Sequence, residues 1–84
     1  MTTKLLDLTG TLNVLAGTTG LGAIAAANVY AGTANLGLVA ALNHKAGNGS
    51  DPKKWLGLNG VANQIAGTIN QEGLRALQIA AGLV

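Results

Sequence analysis

Five amide side chains, Asn13, Asn28, Asn43, Asn63 and Gln78, stand at matching places along this chain. An amide offers two N–H donors and a carbonyl oxygen with two lone pairs, so it can bridge several polar groups at once. The chemistry open to such a row is hydrogen bonding, either to a partner's backbone or to carbonyls left free in a neighbouring repeat. The second use suits a polar residue that returns in every unit. A further group is basic: His44 and Lys45 on one side and Lys53 and Lys54 on the other bracket an inserted segment, with Trp55 beside them. Such a patch can meet an acidic protein surface or phosphate, and it can equally be the solvated side of a loop. Covalent chemistry has little material. There is one His, one Ser (Ser50), no Cys, and three separated acids, Asp7, Asp51 and Glu72. No pair has the spacing of a nucleophile with its base, and no ligand set suits a metal. Gly17, Gly20 and Gly22 are in the wrong order for a phosphate-binding loop. Neither enzymatic activity, nor a cofactor, nor a metal is therefore expected.

The amides belong to a five-residue cassette that ends in Gly. It reads Asn13-Val14-Leu15-Ala16-Gly17, Asn28-Val29-Tyr30-Ala31-Gly32, Asn43-His44-Lys45-Ala46-Gly47, Asn63-Gln64-Ile65-Ala66-Gly67 and Gln78-Ile79-Ala80-Ala81-Gly82. The spacing is fifteen residues except between the third and fourth copies, where it is twenty. The units are 3–17, 18–32, 33–47, 53–67 and 68–82, with an inserted loop at 48–52, in one repeat domain spanning 1–84. Repeats of this kind indicate units that bury their apolar faces on one another. Gly is favoured just past a helix end and Thr at a helix start. Gly17-Thr18, Gly32-Thr33 and Gly67-Thr68 therefore read as the close of one helix and the opening of the next. Thr68 to Gln71 has capping-box spacing, and Asp51-Pro52 reads as a cap followed by a first helical turn.

These signals predict an all-α protein with about five short helices, near 4–16, 20–31, 35–46, 52–66 and 70–81. A β-solenoid also uses Gly, Asn and Thr at fixed places. The Ala-rich runs 23–27 and 39–42 and the apolar spacings of three and four argue for helix. The residue before each cassette alternates in size: Leu12, Ala27, Leu42, Ala62, Leu77. Alternating large and small residues interdigitate, which suggests antiparallel helix hairpins stacked as a small α-solenoid or a compact bundle.

The core of such a molecule is thin, because the chain has no Phe, one Trp and one Tyr (Tyr30) among its 84 residues. A small domain without a disulfide gains stability from a partner or from copies of itself. The net charge of +2 is too small for a nucleic-acid footprint. No charge at all occurs from Leu8 to Asn43, which favours burial in an assembly. A bilayer is disfavoured, since Asn28, Thr33 and Asn35 interrupt the stretch long enough to span one.

The segments Leu12 to Leu21, Ala26 to Thr33 and Leu36 to Gly47 resemble repeats in virion proteins of tailed phages that infect actinobacteria. There, such repeats occur in minor tail and capsid-associated or decoration proteins. The resemblance extends over most of residues 11–82 and departs in the last unit, where Gln78 replaces Asn and Glu72 and Arg75 add charge. It implies a structural role on a phage particle, reached in the host cytoplasm and exercised in the virion. The partners would be other capsid or tail proteins, copies of this chain, or both. Trp55 and Tyr30 are candidate anchors, and His44, Lys45, Lys53 and Lys54 are candidate contacts. The alternative is a membrane-active cationic helical peptide of the bacteriocin type. Its polar face would be rich in Lys and Arg, whereas the polar residues here are mostly neutral.

Overall fold

Gly closes each repeat's helix, but Thr does not open the next one. The computed structural model, described over residues 6–84, contains α1 (Leu8–Ala16), α2 (Ala23–Ala31), α3 (Leu38–Ala46), α4 (Leu58–Ala66) and α5 (Gly73–Ala80). Helix starts fall fifteen, fifteen, twenty and fifteen residues apart, which is the period of the cassette. The protein is all-α, with five short helices and no strand among the described residues.

The ends follow from backbone geometry. Gly17 and Gly32 adopt φ of 72° and Gly67 of 74°, the left-handed region that a Cβ penalises. At the first end, the Gly17 N–H donates to the Val14 carbonyl (3.2 Å) and the Thr18 N–H to the Asn13 carbonyl (2.9 Å). This Schellman pattern fills carbonyls that the helix leaves open, and it recurs at Gly32 and Gly47.

The starts differ from expectation by three to six residues, for a local reason. Gly20, Asn35 and Asn70 lie at φ of 73°, 63° and 62°. A left-handed residue cannot sit in a right-handed helix, so the chain stays irregular for six residues after each of the first two helices. Thr18, Thr33 and Thr68 are therefore not N-caps, and the capping-box spacing at Thr68 is unused. The N-cap positions are instead Gly22, Gly37 and Glu72, and Gly57 in α4, all in extended backbone and without a side-chain cap bond. In α1 the cap is Asp7, whose carboxylate accepts from the Gly10 N–H at 2.8 Å. The expected start near residue 4 lies outside the described residues. The expected helix over 52–66 is divided. Asp51 caps a short 3-10 turn, Pro52–Lys54, and residues 55–57 then run extended to α4.

Each helix contributes two consecutive residues to the core: Thr11-Leu12, Ala26-Ala27, Ala41-Leu42, Val61-Ala62 and Ala76-Leu77, all fully buried. The alternating Leu and Ala residues thus meet in one layer. Helix α2 packs on α3 as well as on α1, α4 packs on both α3 and α5, and α5 packs back on α1. The compact alternative is realised, not the open solenoid, in which first and last helices would stay apart. A radius of gyration of 12.0 Å equals the value of about 12 Å expected for a compact chain of this length.

Gly22 and Gly37 have open space where a Cβ would stand, and their φ and ψ (−66°, 162° and −68°, 169°) suit any residue. Gly22→Ser and Gly37→Asp should each stabilise the fold by about 0.5 kcal/mol, through a new cap bond and a less flexible unfolded chain. Thermal unfolding followed by circular dichroism should show a higher midpoint for both, and a lower one would contradict the assignment of these caps.

Candidate functional site

The repeated Asn residues reach across the linkers. Each lies sixth in its nine-residue helix, one turn before the end, and its amide faces the chain that leads into the next helix. The Asn13 Nδ2 donates to the Thr9 carbonyl (2.8 Å) and to the Leu21 carbonyl (2.8 Å). Its Oδ1 accepts from the Thr18 hydroxyl (2.8 Å) and from the Leu21 N–H (3.1 Å). Asn28 treats Ile24, Leu36 and Thr33 in the same way, at 2.7–3.2 Å. Asn63 does so with Asn59, Gln71 and Thr68, at 2.6–3.1 Å. The amide thus pairs with both backbone groups of one linker residue, much as a strand would, and holds that residue against the preceding helix.

The inserted loop leaves this arrangement intact. Asn43 binds both backbone groups of Leu56, thirteen residues on instead of eight, at 3.0 Å each. The Thr hydroxyl is replaced by the Asn48 Nδ2, at 3.1 Å. Asn13, Asn28 and Asn43 are 7%, 6% and 0% exposed. With two donors and two lone pairs engaged, these amides have nothing left for a partner's backbone. Gln78 occupies the same place in α5, and its Nε2 donates to the Leu6 carbonyl at 2.8 Å, across 72 residues of sequence. Leu6 precedes α1 as Leu21 precedes α2, so the last clamp closes on the first unit.

The basic group does not form one patch. The Lys45 ammonium lies 4.6 Å from the centre of the Tyr30 ring on the neighbouring helix α2, a cation–π contact worth about 0.5–1 kcal/mol. His44 meets the edge of Trp55 with ring centres 6.0 Å apart, and the Trp55 indole N–H donates to the Asn48 carbonyl at 2.9 Å. Trp55 is half-buried in these internal contacts, while Lys53 and Lys54 stand exposed on the 3-10 turn. Among the described residues no group of acidic, His or Cys side chains could hold a metal, and no helix is long and apolar enough to cross a membrane. A shallow polar depression beside α4 is bordered by Asn63, Gln64, Thr68 and Glu72, and its Asn63 amide is already committed to the linker.

What remains for a partner is apolar. Val14, Ile24, Val29 and Val39 expose 44%, 56%, 51% and 37% of their surface. They occupy the second or seventh positions of α1, α2 and α3. The equivalent places in α4 hold Asn59 and Gln64. From α1 through the first turn of α3 the surface is thus uncharged with exposed aliphatic groups, while His44 and Lys45 end α3 and the polar surface of α4 is followed by an exposed Ile69 in the next linker. The sequence reading gave no contact to Asn48, Gln64, Asp7 or Leu6, although Asn48 stands where Thr18, Thr33 and Thr68 stand and Leu6 stands in period with Leu21 and Leu36.

Comparison of the chain with family models, with curated proteins and with solved structures finds no match.

Asn28→Ala should strand the Leu36 N–H and carbonyl, at a cost of about 2 kcal/mol or more. Denaturant unfolding checks this, and a loss no larger than an exposed substitution gives would remove the clamp's importance. Burial raises the Tyr30 pKa above its ordinary 10.0, because the phenolate would lose solvation. The fold therefore favours the protonated phenol. That stabilisation is complete below the unfolded value and is lost as pH rises through the folded one. Absorbance titration of this single Tyr should give a midpoint above 10.0, and an ordinary midpoint would contradict it.

Proposed function

We propose that the chain is a non-enzymatic virion structural protein, a phage capsid decoration, minor capsid or minor tail protein that acts by protein–protein assembly. The observation that carries this reading is the uncharged arc formed by α1, α2 and the first turn of α3. Four aliphatic side chains there lie open to water in a molecule whose repeated amides are all turned inward. Covering them with a partner would contribute about 25 cal/mol for each Å² of apolar surface removed from water. The absence of charge between Leu8 and Asn43 lowers the cost of burying this part of the surface. The resemblance of the repeats to those of actinobacterial phage virion proteins supports the same role. The polar arc would then remain outward and keep the particle surface hydrated. A bacteriocin-like action is less well supported, because no cationic face runs along α1 or α2.

Antibody to the chain should label purified virions of the encoding phage, and label confined to host membranes would overturn the proposal. Ile24→Glu and Val29→Asp place a charge on exposed positions. Both variants should keep the thermal midpoint and lose at least tenfold in particle binding, the equivalent of about 1.4 kcal/mol. Binding as tight as that of the unaltered chain would exclude this arc as the contact.

A further inference from the structure

The third junction between repeats differs from the others in a chemically consequential way. At three junctions the donor to the clamp's Oδ1 is a Thr hydroxyl, from Thr18, Thr33 or Thr68. At the third it is the side-chain amide of Asn48. The residue after Asn48 is Gly49. A hydroxyl in this role is inert, but an Asn followed by Gly is open to attack by the next backbone nitrogen, because Gly carries no side chain to hinder the approach.

Asn48 also ties α3 to α4. Its Nδ2 donates to the Gln64 Oε1 at 2.8 Å, and the Gln64 Nε2 returns a bond to the Asn48 Oδ1 at 3.3 Å. That returned bond polarises the side-chain carbonyl. Asn48 lies outside any helix, half-buried, in the turn that carries the inserted loop. The Gly49 N–H donates to no backbone carbonyl, so forming a new bond at that nitrogen breaks no ladder. Gly49 is packed so closely on the His44 ring that a Cβ there would overlap it.

We propose that Asn48 is a deamidation site whose conversion releases the junction between the third and fourth repeats. The Gly49 nitrogen attacks the Asn48 Cγ and gives up its proton. The Cγ–Nδ2 bond breaks, and ammonia leaves with that proton. Water then opens the resulting succinimide at either carbonyl, leaving aspartate or isoaspartate at position 48. The net change is one water consumed and one ammonia released. The product has a carboxylate where two donated hydrogen bonds had been. It faces the Oδ1 of the fully buried Asn43 and the Oε1 of Gln64, oxygen against oxygen. A donor becomes a charged acceptor, and the clamp on Leu56 loses its support.

The chain carries an internal control. Asn59-Gly60 is its other Asn-Gly pair, and it lies inside α4, where the Asn59 Oδ1 accepts from the Gly73 N–H at 2.7 Å. Helical ψ keeps the following nitrogen away from the side-chain carbon.

The test is peptide mapping by mass spectrometry of the whole folded chain, aged at mildly alkaline pH, with melting recorded on the same samples. Asn48 should convert several times faster than Asn59, and the melting midpoint should fall as conversion proceeds. Asn48→Thr should abolish conversion at that position, and its melting midpoint should stay constant on ageing, since Thr serves as the clamp's donor at three other junctions. Asn48→Asp should melt below the fresh chain from the outset. Conversion of Asn48 no faster than that of Asn59 would overturn the site. Conversion without any fall in midpoint, or an Asn48→Asp variant that melts like the fresh chain, would overturn the release.

Discussion

Everything in this molecule hangs on a polar contact made from the same place in each helix. A side-chain amide near the end of one helix takes both backbone groups of a residue just before the next. The linkers are too irregular to satisfy their own N–H and carbonyl groups. An unpaired buried backbone group costs about 1–3 kcal/mol, and the amides remove that cost at four successive linkers. No buried side-chain polar atom is left without a partner among the described residues. The amide also fixes the angle at which each helix meets its predecessor, because a two-point contact resists rotation where an apolar contact does not.

This explains how so small an apolar core suffices. The nine fully buried apolar residues are three Leu, one Val and five Ala. Ala buries little surface, so these residues contribute less than a core of Leu and Phe would. Small side chains in turn let helices approach closely enough for a short Asn to span the gap. Thin packing and dense hydrogen bonding are therefore two sides of one design. Substituting a larger residue for Ala27 or Ala62 would separate the helices and strain the bonds by which the adjacent amide holds the following linker.

The sequence made some features legible and hid others. Helix ends were readable because a left-handed residue there is nearly always Gly, as at Gly17 and Gly32. Helix starts were not, because the second left-handed position is filled by Gly20 in one linker and by Asn35 and Asn70 in others. A polar Asn in a linker has too many uses to announce its backbone conformation. The period singled out Asn13, Asn28, Asn43 and Asn63, but their acceptors on Leu21, Leu36, Leu56 and Gln71 are main-chain atoms, which carry no sequence signature. The basic residues looked like one group because they are near in sequence. Helical geometry sent Lys45 to Tyr30 and left Lys53 and Lys54 apart on a turn. Contact between α5 and α1 was also hidden, since a repeat pattern states the unit and not the angle between units.

The bond from Gln78 to Leu6 sets a limit on how this architecture can change. Leu6 stands two residues before α1 as Leu21, Leu36, Leu56 and Gln71 stand two before the helices they precede, so the first unit supplies the acceptor for the last amide. An open array of repeats can gain or lose a unit at its end and keep every interface. Here a sixth unit after α5 would compete with α1 for that helix, because α1 packs on α5. Growth by unit duplication at that end would break this contact, while growth within a linker leaves every helix contact in place, as the five extra residues between α3 and α4 demonstrate. Diversity among chains built this way should therefore accumulate in linker length and in the outward-facing helix positions, with the number of helices held constant.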